Sequence, residues 1–219
     1  MSDIPQPPPP GHTPISTEPY PLAFDVVYPD RDLDRVTTGL RIFTVIPIAI
    51  VLAAVQGSYG WGGYAFGVGV GGTLFLAVLL MILFRQKYPR WWFDWNRELL
   101  RFANRVGAYL LLLDDRYPST DQQQYVRLEF EFPDVPRDLN RWLPLVKWFL
   151  AIPHYVVLSF LDLGVLLAVI GAWFAILFTG RYPRAIFDFV VGVMRWTNRV
   201  SLYAFLLVTD RYPPFRLAP

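Results

Sequence analysis

Two stretches of the chain are nearly free of charge. Residues 42–84 contain no Asp, Glu, Lys or Arg, and between Trp148 and Gly180 only His154 and Asp162 interrupt the apolar run. Each stretch is long enough for two crossings of about 20 apolar residues. The pattern therefore predicts four transmembrane helices, at Leu40–Val55, Ala65–Phe84, Leu143–Leu161 and Leu163–Phe178, with turns over Gln56–Gly63 and around Asp162. Outside them the period changes. Leu22, Phe24, Val26 and Tyr28 alternate with polar positions over Tyr20–Pro29, and Val126, Leu128, Phe130 and Phe132 do so over Tyr125–Pro133. Period two between prolines predicts strands, which must pair with each other or with a partner chain to satisfy their edges.

Helical spacing returns over Pro89–Leu112 and Pro183–Leu206, each with proline where a first turn tolerates it. Arg97, Arg101 and Arg105 fall on one face, as do Arg195 and Arg199, beside Trp91, Trp92, Trp95, Phe102 and Tyr109. This pattern predicts helices lying in the membrane interface with those five arginines toward lipid headgroups. Arg90 with Asp94, and Arg184 with Asp188, are spaced for weak i,i+4 pairing.

The motifs recur. Lys87-Tyr88-Pro89-Arg90 to Asp115-Arg116-Tyr117-Pro118 parallels Arg181-Tyr182-Pro183-Arg184 to Asp210-Arg211-Tyr212-Pro213, pairing Arg101 with Arg195, Asn104 with Asn198 and Tyr109 with Tyr203. Such self-similarity predicts a mainly α, polytopic membrane protein built as two tandem repeats. Each repeat would be a strand, a two-helix hairpin and an interfacial amphipathic helix. The expected divisions are a disordered proline-rich tail (1–19), a first membrane module (20–118), a linker (119–124) and a second module (125–219). Two copies inserted the same way imply a pseudo-two-fold axis along the membrane normal. Pro47 and Pro153 fall inside the first span of each module and predict kinks there, as hinge or as static packing. Gly63, Gly67 and Gly71, and Gly164, Ala168 and Ala172, form small-residue stripes suited to close helix packing.

Charge sets the orientation. The net charge is only +2, but all 20 Lys and Arg lie outside the two apolar stretches. By the positive-inside rule Arg31, Arg35, Arg41, Arg85, Lys87 and Arg90 belong on the cytoplasmic side, with both termini. The absence of cysteine excludes disulfides, thiolate metal sites and a cysteine nucleophile.

Arg141-Trp142-Leu143-Pro144-Leu145-Val146-Lys147-Trp148, Ala151-Ile152-Pro153-His154-Tyr155, Trp173 through Pro183, and Asp210-Arg211-Tyr212-Pro213-Pro214-Phe215 resemble a bacterial membrane-protein family known as domain of unknown function 4389. The resemblance covers most of the second module and, more loosely, the first, where Ile48 stands in place of His154. It implies a membrane fold and no activity, cofactor or catalytic residue.

Candidate chemistry is sparse. His154 is the intramembrane polar candidate, placed near mid-membrane if its span starts at Trp142. It reads either as a proton or ligand site or as a neutral imidazole bonded to a carbonyl freed by the kink. His12 lies in the tail, so no histidine pair forms a metal site, and no phosphate loop or nucleophile elbow is present. Catalytic residues, metals and cofactors are all expected to be none. The leading functional expectation is a non-enzymatic accessory or scaffold protein, a lipid-contacting subunit of a larger membrane assembly. Its partners would be anionic phospholipid and a membrane protein or a second copy, not nucleic acid. A small transporter or channel, and a lipid-handling membrane enzyme, are the alternatives.

Overall fold

The computed structural model describes residues 20–56, 73–120, 122 and 124–219. The proline-rich tail, the Gln56–Gly63 turn beyond its first residue, the stripe at Gly63, Gly67 and Gly71, and the start of the Ala65–Phe84 span lie outside them. In chain order the elements are β1 (Ala23–Val26), α1 (Arg35–Gly39), α2 (Arg41–Thr44), α3 (Ile46–Gln56), α4 (Thr73–Arg85), α5 (Arg90–Leu110), β2 (Val126–Glu129), α6 (Val135–Asp138), α7 (Pro144–Leu150), α8 (Ile152–Thr179) and α9 (Arg184–Ala204).

The alternating segments pair with each other. β1 and β2 are antiparallel, with Phe24 opposite Leu128 and Val26 opposite Val126. Leu22, Phe24, Val26, Leu128 and Phe130 all turn inward, as period two requires. Next to Pro89 and Pro183 the chain enters α5 and α9 directly, each proline holding the extended N-cap conformation.

The four-span, two-module architecture is overturned. Among the described residues one helix is long and apolar enough to cross a membrane, α8, with mean hydropathy 2.3 over its best window. It runs unbroken for 28 residues through Asp162, where a turn between two spans was predicted. At about 1.5 Å per residue it rises about 42 Å, more than the ~30 Å hydrocarbon core. A lone aspartate does not end a helix when the leucine, valine and alanine around it carry the backbone bonds onward. Gly164 does not break it either, because the space its missing side chain leaves is met by the Phe189 ring, 3.4 Å from a built Cβ. The helix stops at Gly180, whose φ of 76° is the left-handed C-terminal conformation and whose N–H bonds Ile176. In the first half the apolar helices are shorter, Arg41–Val55 and Leu76–Arg85.

The helical run breaks just before both prolines, which then open the next helix. Helices α2 and α7 end before Pro47 and Pro153, which occupy the second position of α3 and α8. There the missing N–H costs no helical bond.

The amphipathic helices turn much of their surface, including most of the predicted arginine faces, into the protein. Helix α9 is buried around most of its circumference, from Phe187 through Trp196 to Ala204, and α5 buries Phe93, Leu99, Leu100, Phe102 and Tyr109. These helices form the core. Large apolar side chains point outward from α2, α3, α4, α7 and α8, including Phe43, Ile50, Leu80, Phe84, Phe149, Phe160, Leu167 and Phe178, and from α5 at Trp91 and Trp95. Helix α8 covers only one stripe, His154, Leu158, Val165, Ala172 and Ile176.

The continuity of α8 is testable because the chain has no native cysteine. A single Asp162→Cys should resist a membrane-impermeant maleimide in proteoliposomes from either side and react only after denaturation. Rapid labelling from one side would restore the turn.

Candidate functional site

The polar residues gather where α5 meets α9. Asn104 Nδ2 donates to Asn198 Oδ1 at 2.8 Å, and Asn198 Nδ2 returns the bond to Asn104 Oδ1 at 2.7 Å. Each amide also donates to the carbonyl four residues earlier, Leu100 and Met194. The pair is buried, so every amide proton is accounted for within the protein.

The five arginines predicted to face headgroups are spent on this chain. Arg101 Nε donates to Leu128 O at 3.0 Å, and Arg195 Nε to Phe24 O at 2.9 Å, so two opposed residues of the sheet are each held by a guanidinium. Arg105 reaches Ser119 O and Gln122 O, while Arg199 reaches Arg216 O and Ala218 O. Arg97 pairs with Asp94 at 3.2 Å and Glu98 at 3.4 Å. Arg199 is 1 % exposed. Burial lowers its pKa to about 10, helped by the nearby cations of Arg216 and Arg195.

The burial of two further cations was not read from the sequence, because both stand just outside apolar runs. Arg41 and Lys147 are fully enclosed. Arg41 Nη1 donates to Tyr109 O and Asp114 O, with its guanidinium 4.1 Å from the Tyr109 ring centroid. Lys147 Nζ donates to Thr209 O at 2.7 Å, pairs with Asp210 at 2.7 Å and lies 5.2 Å from the Tyr203 ring. Burial lowers the Lys147 pKa, and the Asp210 carboxylate opposes it. In the first half the carboxylates go elsewhere: Arg31 bonds Asp114 and Asp115 together. Burial pulls the Asp115 carboxyl upward, but the Arg31 hydrogen bond and the Asp34 amide hold it well below the usual range.

Other contacts match across the halves. Tyr88 donates to Leu206 O and Tyr182 to Leu111 O. The chain turns just beyond α5 at Leu112 and beyond α9 at Leu207, both at positive φ, 65° and 57°. That conformation is unfavourable for leucine, and burial of both side chains holds it.

His154 is the third residue of α8, near one end of the apolar helix rather than its middle. No carbonyl holds it. Nδ1 accepts from Trp196 Nε1 at 3.0 Å, and the ring stacks on Phe215 at 4.0 Å and 17°. Tyr212 completes the enclosure. Among the described residues, no three His, Cys, Asp or Glu side chains form a metal-holding group.

A cavity of about 550 Å³ opens between the end of β1, the first half of α9 and the C-terminal segment. Arg184, Asp188, Asp25 and Arg195 edge it, and Phe187, Val191, Val26 and Leu217 line it.

Comparison with known families gives one match. Residues 142–216 match the model described as Domain of unknown function (DUF4389), and the chain carries that domain over α7, α8, α9 and the segment after it. No second copy is found, so the looser resemblance drawn for the first half gains no support from this match. No curated protein and no solved structure matches the chain.

The asparagine pair yields a cycle. Asn104→Leu alone leaves half of the Asn198 amide buried without a partner, costing about 1–3 kcal/mol and lowering the melting temperature in detergent. The double Asn104→Leu, Asn198→Leu variant should recover much of that loss. Strictly additive losses would show that the pair is not coupled.

Proposed function

We propose that the protein is a non-enzymatic accessory or scaffold subunit of a membrane assembly, in contact with lipid through α8 and its neighbours. The observation that carries this reading is the division of labour between surfaces. Arg101, Arg105, Arg195 and Arg199 are used internally, while α8 leaves all but one stripe of its apolar surface uncovered. A surface of that size seeks lipid tails or another apolar protein face.

Lipid headgroups are then met by cations other than Arg105, Arg195 and Arg199. Arg90 and Arg181 keep most of their side chains exposed, and anionic phospholipid is the partner they suit. The protein is read as residing in a bacterial cytoplasmic membrane, with both ends on the cytoplasmic side. Supporting this, Arg195 bonds Phe24 O and Leu217 O at once, and Tyr20 bonds Arg199 O and Arg211 O, so both described ends share one helix. Ends on one side require an even number of crossings. If α8 crosses, the shorter apolar helices of the first half are the segments available for the return.

Purification in mild detergent tests the role. A stoichiometric second protein retained through size exclusion is the expected result. A self-assembled ring of this chain with a water-filled centre would replace the scaffold reading with a channel.

A further inference from the structure

The cavity beside α9 sits where a headgroup would. The apolar helix α8 ends at Gly180, and Arg184 follows within four residues. Its rim carries two cations and two anions in loose pairs, Arg184 with Asp188 at 3.3 Å and Arg195 with Asp25 at 3.4 Å. Arg195 has two backbone carbonyls besides, so it stays in place. The side chains of Arg184, Asp188 and Asp25 are each more than 60 % exposed and free to take other partners.

Comparison with α5 sharpens the point. Both helices have 21 residues and open with an Arg-x-x-Phe-Asp sequence. In α5 the eighth residue is Arg97, which reaches Asp94 at 3.2 Å while Arg90 reaches it at 3.6 Å. In α9 the eighth residue is Val191, which lines the cavity. Asp188 is therefore left with one cation where Asp94 has two, and an apolar wall stands where the second would be. A site with an available cation, an under-neutralised carboxylate and an apolar lining matches a phosphate and a primary ammonium joined by a short linker.

We infer that this cavity binds a phosphoethanolamine group, the phosphate on Arg184 and the ammonium between Asp188 and Asp25. A quaternary ammonium fits less well. The open face of Tyr28 that it would need is taken by the Arg184 guanidinium, 4.5 Å from the ring centroid. The adjoining Phe187, Val191 and Leu217 accept the glycerol end or the start of an acyl chain. The inference rests on the lipid-contact reading above for the source of the group, which is a membrane phospholipid rather than a free metabolite.

The test uses the full chain in nanodiscs of mixed phosphatidylethanolamine and phosphatidylglycerol, extracted gently and read by native mass spectrometry. Soluble glycerophosphoethanolamine is titrated in parallel by saturation-transfer NMR. The native chain should retain phosphatidylethanolamine, and Val191→Arg, Asp188→Asn and Arg184→Gln should each cut retention at least tenfold, the latter two with melting temperature unchanged. The last two alter exposed side chains, so they decide the matter even if Val191→Arg misfolds. Unchanged retention in them, or preferential retention of phosphatidylglycerol, overturns the site. Binding of the soluble probe without retained lipid keeps the site and overturns the membrane source. A chain that stays in the bilayer yet takes neither ligand overturns the site alone. A chain that leaves the bilayer overturns the lipid-contact reading, and the soluble probe still decides the site.

Discussion

A guanidinium or ammonium removed from water must find acceptors inside the protein, because an unpaired buried charge costs several kcal/mol. The arrangement of this chain follows from that requirement. Arg101 and Arg195 take carbonyls from opposed positions of β2 and β1, and Arg105 and Arg199 take carbonyls from the segments that follow α5 and α9. Arg41 and Lys147 clamp the chain just beyond the ends of those two helices. A two-stranded sheet alone is marginal in water, so these cation-to-carbonyl bonds and the helices that carry them are what hold β1 and β2 in register. The apolar surface is then free to face outward.

The consequence is an inverted distribution of side chains on part of the molecule. The interior of α5 and α9 mixes aromatic residues with hydrogen-bonded arginines and asparagines such as Arg195, Arg199, Asn104 and Asn198, while α8 presents Phe160, Leu163, Leu167, Ile170 and Phe174 to its surroundings. In water such a helix face would be an aggregation hazard; against lipid it is matched to its solvent. The DUF4389 match covers α8 together with α9 and the C-terminal clasp on His154, so the domain includes both the outward apolar helix and part of the polar centre that supports it.

Much of this was legible in the residues. Period two at Leu22, Phe24 and Val26 and again at Val126 and Leu128 marked the strands, and their need for a partner left each other or another chain as candidates, of which the structure shows the first. Pro89 and Pro183 marked where α5 and α9 begin. Three features were not legible. A charge-free run of residues does not say how many times it folds back, and Asp162 within α8 looked like a boundary because a lone carboxylate in an apolar run marks a turn and a continuous helix alike. Arginines at four-residue spacing beside tryptophan read equally as a headgroup face or as a buried carbonyl-binding face. Only the position of β1, β2 and the C-terminal segment decides between them. The cavity depended on the same long-range packing, since Arg184 and Val191 become a site only when the end of β1 and Leu217 close around them.

The central claim is that the α5 and α9 arginines serve the protein's own backbone. Replacing Arg195 and Arg199 by Gln, separately, in protein reconstituted in nanodiscs of graded anionic content reads both possibilities in one sample. Each replacement should lower the melting temperature by several degrees, because buried carbonyl acceptors lose charge-assisted bonds. Enrichment of anionic lipid around the protein at low salt should stay as it is in the native chain. Loss of that enrichment with the melting temperature unchanged would contradict the account and return these arginines to the headgroups.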